Sequence, residues 1–288
     1  MPAGSADRQR ALCRCVYLEI AQLTTLVRMN TSAVIKVATW NVNSARARIE
    51  RIVDFLDAHK PDVVCLQEIK STQDTFPFAA IEQAGYVSAI FGQPAYNGVA
   101  LLSRQVAEDV ETGLDDEARV IAGTLFGMRM ISVYVPNGQR IGSPKHQYKL
   151  QWLDKLASFL EEQRTRYGEF VVAGDYNVAP EDVDIAHPDE WEGKVLSDPA
   201  ARAKLENIIS RFELVDVLRK HNTGPGVFTW WDYRTRGYVW NDGVRIDHIL
   251  ATPGYAARSV HAWVDVEERG GSGRSDHVPV LARLSVGV

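Results

Sequence analysis

The stretch VVAGDYNVAP, residues 171–180, begins like a buried strand and ends in side chains that can do chemistry. Its first three residues suit a sheet interior, Gly174 interrupts the apolar run, and Asp175 and Asn177 follow two positions apart. Because side chains alternate along a strand, this spacing places the carboxylate and the carboxamide on one side. We expect Gly174 to permit a tight exit from the sheet and both polar groups to face its rim.

Polar groups recur at the ends of the other apolar runs that we interpret as strands. They are Asn41 and Asn43 after VIKVAT, Glu68 after VVCLQ, Tyr134 and Asn137 around VYVP, Asp247 inside VRIDHI, and Asp276 and His277 before VPV. Each one alone is typical of a turn or of a solvated surface. An acid inside an apolar strand, such as Asp247, must either pair or face a polar cavity. Their joint occurrence predicts one site at a common sheet rim.

The residue types in this set indicate metal-assisted chemistry at a phosphoryl centre. Carboxylates and carboxamides, with one tyrosine, one histidine and no Cys–His cluster, suit Mg²⁺ or Mn²⁺ and suit zinc poorly. In such a site a carboxylate or a histidine deprotonates water. Asp247 is expected to fix the tautomer of His277. No Gly-rich loop of the phosphate-cradling kind precedes a helix, which argues against nucleoside triphosphate binding.

The elements that must position these groups alternate between strands and helices from about Val34 onward. Apolar spacing predicts helices over RIERIVDFLDAHK and HQYKLQWLDKLASFLEEQ, and a third near residues 199–212. The run RVIAGTLFGMRMISVYVP predicts a hairpin around Phe126 and Gly127. Further strands are predicted at VSAIF, GVALLS, VFTWW, VHAWVDV and HVPVLARLSV. This alternation favours mixed α/β layers around one compact core.

Composition sets the broad class of the protein. The 288 residues are 45% hydrophobic and 24% charged, and the net charge is −5. No apolar run approaches the roughly 18–20 residues that span a bilayer, so we expect no membrane association. Three cysteines, Cys13, Cys15 and Cys65, do not make a disulfide framework in a chain of this size. A reducing compartment follows, and we expect a cytoplasmic protein, associated with the nucleoid if it is bacterial.

Residues 1–33 differ from the regular pattern that follows, and we interpret them as an N-terminal extension to a catalytic domain over residues 34–288. The segment ALCRCVYLEIAQLTTLV is apolar with scattered charges, and Met29 precedes NTSAVIKVATWN. Two readings stay open: a helical appendage, or the artefact of an upstream start. The segment lacks the cleavage signature of a secretory signal.

Seven ordered motifs carry a resemblance to a known family. They are TWNVNS, LQEIK, YVPNG, GDYNVAP, FTWWDYRTRG, RIDHILAT and GRSDHVPV, between about Lys36 and Leu284. Together they resemble the exonuclease III family of abasic-site (AP) endonucleases, within the endonuclease/exonuclease/phosphatase superfamily. The resemblance implies a four-layer α/β sandwich, with two mixed β-sheets packed face to face and helices on both outer sides. It also implies Mg²⁺-dependent hydrolysis 5′ to abasic sites in double-stranded DNA by a monomer, together with 3′→5′ exonuclease activity and removal of blocked 3′ ends.

The resemblance also implies roles for individual residues. Glu68 resembles the main metal ligand, with Asn43 and Asp276 near the metal, and Asp175 resembles the residue that activates water. The groups that resemble those around the scissile phosphate are Asn177, Tyr134 and His277, with Asp247 orienting His277 and Asn41 supporting the network. Whether Asp175 or His277 accepts the proton stays open.

Substrate contacts follow from the same resemblance. Trp230 is similar to the aromatic wall of the pocket for the abasic sugar, with Ile246 as an apolar wall and Trp231 in the core. Asn137 and Arg140 lie in a loop that resembles a DNA-contacting one. Basic side chains that we expect to ring the site are Arg46, Arg48, Lys70, Arg104, Arg140, Lys145, Arg234 and Arg236.

Two departures and two alternatives bear on this interpretation. Asn43 stands where some relatives have Asp, which leaves the number of metal ions open, and Tyr176 stands where Phe or Met is frequent. One alternative is another phosphoesterase of the superfamily, which would not be expected to combine YVPNG with FTWWDYRTRG. The other is a catalytically inactive relative that binds nucleic acid or protein, although such proteins typically lose ligands that are all present here.

Overall fold

Two six-stranded sheets form the centre of the computed structural model, which describes residues 33–286. Across the first sheet the strands are, in spatial order, β11 (Ser259–Val264), β12 (Val280–Val286), β1 (Ala33–Asn41), β2 (Val63–Gln67), β4 (Val99–Ser103) and β3 (Val87–Phe91). Across the second they are β5 (Glu108–Thr112), β6 (Val120–Leu125), β7 (Met128–Tyr134), β8 (Val171–Asp175), β10 (Asp247–Ala251) and β9 (Val215–Asp216).

Each sheet contains a parallel pair of strands, which brings strand ends together. Strands β1 and β2 are parallel, with Asn41 opposite Gln67. Strands β7 and β8 are also parallel, and antiparallel β10 pairs with β8 on its other side. This register sets Tyr134, Asp175 and Asp247 side by side on three neighbouring strands. The polar strand ends therefore lie at one rim of the second sheet.

Helices cover the outer faces of both sheets. They are α1 (Ile49–His59), α2 (Phe78–Gln83), α3 (Pro144–Tyr167), α4 (Pro199–Phe212), α5 (Val217–His221), α6 (Gly237–Trp240) and α7 (Pro253–Ala257), with 3₁₀ turns at Asp182–Asp184, Pro188–Trp191, Val195–Ser197 and Val266–Arg269. Phe55 of α1 packs with Trp40 and Leu66 of the first sheet. Trp152 of α3 packs with Val172 of the second. The predicted four-layer α/β sandwich is confirmed.

The inner faces of the sheets meet through a small polar network as well as apolar side chains. The Gln67 amide donates to the Ser132 hydroxyl at 3.1 Å, and Ser132 donates to the Leu66 carbonyl at 3.3 Å. Cys65 faces the same interface, and burial raises the pKa of its thiol to about 12. It is the small core residue that the sequence predicts.

Local sequence signals explain the longest helix, α3. Ser143 caps its start by accepting from the His146 amide at 3.1 Å, and Pro144 occupies the first turn. Gly168 ends it with a φ of 74°. Leu153, Leu156 and Leu160 are buried as predicted, whereas Leu150 is only half-buried.

The strand predictions need three corrections. VFTWW does not form a strand, because Trp230 makes only isolated bridges to Val244 and His277. Two short strands, β5 and β9, were not predicted. Gly174 lies inside β8 and does not make the exit, since a Cβ there would lie 1.9 Å from the Val133 carbonyl oxygen. The hairpin is confirmed, with Phe126 and Gly127 at φ values of 52° and 72°.

Residues 35–284 form one compact unit. The predicted extension lies outside the described residues except for its last residue, and so do Cys13 and Cys15. Within 33–286, no helix combines the length and the apolar character needed to cross a bilayer.

Candidate active site

The polar strand ends converge on one cavity of about 670 Å³ between the rims of the two sheets. The predicted residues that line it are Glu68, Tyr134, Asn137, Arg140, Asp175, Asn177, Trp230, Ile246, Asp276 and His277. The other three predicted residues, Asn41, Asn43 and Asp247, contact this set from behind. All thirteen are thus brought together.

Left-handed turns carry several of these side chains out of the strands. Asn43, Glu68 and Asn177 have φ values of 46°, 50° and 50°. Asparagine tolerates this conformation, whereas for glutamate it is uncommon and costs free energy. The exit after β8 is therefore made at Asn177, two residues beyond the strand.

Asn41 joins carboxylates from the two sheets. Its amide nitrogen donates to Glu68 Oε1 at 3.0 Å and to Asp175 Oδ2 at 2.9 Å. Its amide oxygen accepts from the Asn43 backbone at 3.0 Å. Since Asn41 is fully buried, every polar atom of its side chain is used within the site.

Glu68 pairs with the Lys70 ammonium and accepts hydrogen bonds from both sheets. The Tyr134 hydroxyl donates to Glu68 Oε1 at 2.8 Å. The Lys70 ammonium lies 2.8 Å from Glu68 Oε2 and donates to Asn43 Oδ1 at 2.6 Å. Burial opposes ionisation of Glu68, but Lys70 and Asn41 hold its pKa below the ordinary value. Burial and the carboxylates of Glu68 and Asp175 raise the pKa of Tyr134 well above 10, so its hydroxyl stays protonated.

His277 lies between two buried carboxylates. Its Nδ1 is 2.9 Å from Asp247 Oδ2, and its Nε2 is 3.7 Å from Asp175 Oδ2. Burial raises the pKa of Asp175 to about 7. Burial lowers the pKa of His277, but the charges of Asp247 and Asp175 outweigh it and raise the value to about 10. At neutral pH the imidazole is therefore charged, while Asp175 is poised to exchange a proton.

Asn177 and Asn137 form a second hydrogen-bonded unit beside Asp175. The Asn177 amide nitrogen donates to the Val135 carbonyl at 2.9 Å and to Asp175 Oδ2 at 3.3 Å. Asn177 also donates from its backbone to Asp175 Oδ1 at 2.8 Å. Its amide oxygen accepts from Asn137 at 2.8 Å. The two amides are thus fixed relative to the carboxylate.

An apolar wall lies on the other side of the cavity. Trp230 is half-buried and donates from its indole to Asp276 Oδ2 at 3.1 Å. Ile246 is buried beneath it, and Trp191 meets it edge-on at 6.1 Å between ring centroids. Trp231 is 1% exposed and lies in the core, so only one of the two tryptophans lines the cavity, as predicted.

Sequence reasoning missed two parts of the site. Trp191 and Lys194 line the cavity from a segment without periodicity, and the only signals there were an aromatic and a lysine among turn residues. Lys149 is fully buried beneath the site. It stands three residues before Trp152 and four before Leu153, on the buried face of α3, and a lysine at such a position was the available signal.

The prediction that basic side chains ring the site is wrong for Arg104. Arg104 follows the end of β4 that pairs with the start of β2, at Val63, so it lies at the opposite edge from Glu68. Arg140 and Arg234 line the cavity. Lys145 lines an adjoining cavity that shares Tyr134 and Asn137. Lys70 pairs with Glu68, and Arg46 is exposed at the end of the loop that carries Asn43.

Two groups of side chains offer candidate ligand atoms for a cation. Asp175, Asp247 and His277 place ligand atoms within 4.8 Å of one another. The predicted ligands are a different group, with two carboxylates and one amide. In that group Asn43 donates to Asp276 at 3.1 Å, while its amide oxygen shares the Lys70 ammonium with Glu68.

Comparisons with known proteins show which family the chain is similar to. A family model described as the endonuclease/exonuclease/phosphatase family matches residues 38–277. Exodeoxyribonuclease III of Haemophilus influenzae is 33% identical over 266 residues, covering 86% of this chain and 99% of that protein. A Neisseria 3′ phosphatase, NExo, bound to a product DNA hairpin, has a TM-score of 0.85 and 40% identity, covering 87% of this chain and 99% of its own. An AP endonuclease from Archaeoglobus fulgidus has a TM-score of 0.84 and 39% identity, covering 88% of this chain and 100% of its own.

Proposed function

The chain belongs to the endonuclease/exonuclease/phosphatase family, and from that premise we propose that it is a metal-dependent DNA repair nuclease that cuts the phosphodiester 5′ to abasic sites in double-stranded DNA. The observation that carries the proposal is the junction of Glu68, Asn41 and Asp175 with the His277–Asp247 pair, next to an apolar wall. Activity on 3′ ends is part of the proposal, because the similar proteins are called exodeoxyribonuclease III and 3′ phosphatase.

The donor set fits Mg²⁺, with Mn²⁺ as a substitute. Two of the proposed ligand residues, Glu68 and Asn43, already direct oxygen atoms toward a positive charge, the Lys70 ammonium. The pKa of Asp276 is also below its ordinary value, since the charge of His277 and the Trp230 indole outweigh burial. Glu68, Asn43 and Asp276 would therefore hold the ion through oxygen atoms. When bound, Mg²⁺ supplies charge that stabilises the phosphate oxygens.

Asp175 is the proposed general base. A base works best when its pKa lies near the working pH, and burial raises the pKa of Asp175 to about 7. Asn41 and the Asn177 backbone hold the carboxylate at 2.9 Å and 2.8 Å. Asp175 is thereby oriented to take a proton from water that attacks the phosphorus.

His277 is the proposed donor to the phosphate. Asp247 binds its Nδ1 at 2.9 Å, which leaves Nε2 directed toward the cavity. With its pKa raised to about 10, His277 is an imidazolium at neutral pH and stabilises negative charge that develops on the phosphate. The Asn177 amide nitrogen is a second proposed donor to the phosphate. Its 3.3 Å bond to Asp175 is weaker than its 2.9 Å bond to the Val135 carbonyl, so this N–H can turn to a phosphate oxygen.

The apolar wall accounts for the choice of an abasic nucleotide. A sugar without a base has already lost its pairing and stacking, so turning it out of the helix costs little free energy. Trp230 and Ile246 then offer a dry surface to the sugar. With a net charge of −5, the protein depends on local cations such as Arg140, Lys145 and Arg234 for contact with DNA. Binding should therefore weaken as salt rises, and we propose that a monomer suffices.

The direct test uses a duplex with one tetrahydrofuran abasic analogue and an undamaged control, each with Mg²⁺ and with EDTA. A single Mg²⁺-dependent nick 5′ to the analogue is the expected result. Shortening of the control from its 3′ end would measure the exonuclease activity. Folded protein that binds both duplexes and cleaves neither would refute the proposal and favour an inactive DNA-binding relative.

A further inference from the structure

Lys149 is a buried cation that has no carboxylate partner among residues 33–286. Its side chain is fully buried, yet its ammonium makes three hydrogen bonds, all to backbone carbonyl oxygens. The acceptors are Asn177 at 2.7 Å, Asn137 at 3.3 Å and Val195 at 3.3 Å. An ammonium has three donors, so each one is used. A buried charge is costly, and the arrangement calls for a reason beyond packing.

The three acceptors belong to three separate walls of the active-site cavity. Asn137 lies in the loop between β7 and α3, Asn177 in the turn after β8, and Val195 in the segment that carries Trp191 and Lys194. The first two walls are also joined at their side chains, where Asn137 donates to Asn177 at 2.8 Å. The ammonium of Lys149 therefore joins the backbones of Asn137 and Asn177, whose side chains are already bonded to each other, and it also ties the Val195 segment to them.

The surrounding residues fit closely around the lysine stem. A Cβ at Gly138 would lie 3.0 Å from Lys149 Cδ and 3.0 Å from Val195 Cγ2, and Gly138 has a φ of 87°. One turn earlier on α3, His146 binds Asp198 at 2.8 Å, and Asp198 caps α4. The face of α3 toward the site is thus a support for the loops and not a solvated surface.

We propose that the Lys149 ammonium is a positioning group for the nuclease reaction, which holds the backbone of Asn137, Asn177 and Val195 in one arrangement around the scissile phosphate. The inference rests on the proposed nuclease function. Lys149 is not among the residues that line the cavity; it acts through the asparagine turn that orients Asp175.

The charge on Lys149 gives the proposal a signature in pH. Burial lowers its pKa to about 8, although Asp175 and Asp198, the charged groups that act on it, raise it. Above that pH the amine keeps only two hydrogens for three carbonyls, so the arrangement loosens. Loss of this charge does not lower the stability of the fold. Because the pKa of Lys149 is lower in the folded state than its ordinary value of 10.5, the free energy of unfolding rises with pH between about 8 and 10.5.

The test compares wild type with Lys149→Gln, Lys149→Met and the control Lys155→Met, on the same helix and half-exposed beside Asp115. Cleavage of the tetrahydrofuran duplex with Mg²⁺ is followed as kcat/KM, which reports the free enzyme, and folding is checked by thermal unfolding. For wild type and Lys155→Met we expect kcat/KM to fall with rising pH between about pH 7.5 and about pH 9.5, by roughly the tenfold that loss of the Lys149 charge costs, without unfolding. The kcat/KM of Lys149→Gln should be at least about tenfold below that of wild type at about pH 7.5, and it should change little with pH because an amide does not titrate.

Hydrogen exchange supplies a readout that does not depend on cleavage. Peptides that contain Asn137, Asn177 and Val195 should exchange faster together in Lys149→Met, with β11 unchanged. A folded Lys149→Met with kcat/KM within about twofold of wild type would overturn the proposal. So would hydrogen exchange of these three peptides that is the same in folded Lys149→Met as in wild type. Wild type that cleaves nothing at any pH would instead refute the nuclease function and this inference with it.

Discussion

The Tyr134 hydroxyl donates a 2.8 Å hydrogen bond to Glu68 Oε1, and this bond crosses from the second sheet to the first. Tyr134 ends β7, whereas Glu68 follows β2. The bond gives Glu68 a neutral donor at neutral pH, because the phenol has a pKa well above 10. It therefore links the geometry of the proposed metal ligand to the packing of the two sheets.

Tyr134→Phe should lower kcat/KM without unfolding the protein. A hydrogen bond to a charged group is worth about 1.5–3 kcal/mol, so we expect a loss of roughly 10- to 100-fold. The apparent Mg²⁺ affinity should fall too, since Glu68 loses one of its orienting donors. Titration of cleavage with Mg²⁺ measures both. Tyr176→Phe is the matched control, because within the described part of the chain its hydroxyl makes a single hydrogen bond, of 3.4 Å to the Val172 carbonyl.

Asp175→Asn should abolish nearly all cleavage and leave DNA binding intact. The amide keeps the size of the side chain but cannot accept a proton, and general-base loss typically costs about 10²–10⁴ in rate. Single-turnover cleavage and gel-shift binding of the abasic duplex measure the two quantities. Asp57→Asn, an exposed change on α1, serves as the control. Turnover near that of wild type would remove Asp175 from the role of base.

The same substitution should stabilise the metal-free protein at neutral and alkaline pH. Burial raises the pKa of Asp175 from 3.8 to about 7, so the folded state holds a proton that the unfolded state has lost. Stability from this group therefore falls as pH rises between those two values and stays low above them. In EDTA, Asp175→Asn should have a Tm near that of wild type at about pH 4.5 and exceed it by about 2 °C or more at about pH 8. A difference independent of pH would contradict the raised pKa.

The neighbouring tryptophans should respond to substitution in opposite ways. Trp231→Ala removes a core side chain that is 1% exposed, and should cost about 3–5 kcal/mol of unfolding free energy. Trp230→Ala should leave the protein folded but narrow the preference for the abasic duplex over the undamaged one, because the sugar loses its aromatic wall. Thermal unfolding and the ratio of kcat/KM on the two duplexes test this. An unchanged ratio in Trp230→Ala would exclude the wall from substrate choice.

The sequence predicted the architecture and the main site because both depend on local patterns. Alternating strands and helices located most elements, and polar groups at strand ends converge since parallel β1–β2 and β7–β8 deliver Asn41, Tyr134 and Asp175 to one rim. Motif order then assigned residues that individually looked like turn formers.

What could not be predicted depends on contacts between distant segments. Lys149 reads as a polar residue of an amphipathic helix until three loops are seen to converge on it. The direction of β4 decides that Arg104 points away from the site. Gly174 looked like a strand breaker, whereas its missing Cβ makes room for the neighbouring strand. None of these contacts produces a periodic pattern of residues in the sequence, so none could be predicted from it.

The path of the chain through the two sheets also sets the order in which the site is made. The chain forms four strands of the first sheet and all six of the second, and only then returns through β11 and β12. Asp276 and His277 lie on that return, after every other proposed site residue. Because translation proceeds from the amino end, the cations proposed to contact DNA, such as Arg140 and Arg234, are synthesised before His277. If His277 has the role proposed for it, the nascent chain lacks an essential group of the site until the segment between β11 and β12 has been synthesised.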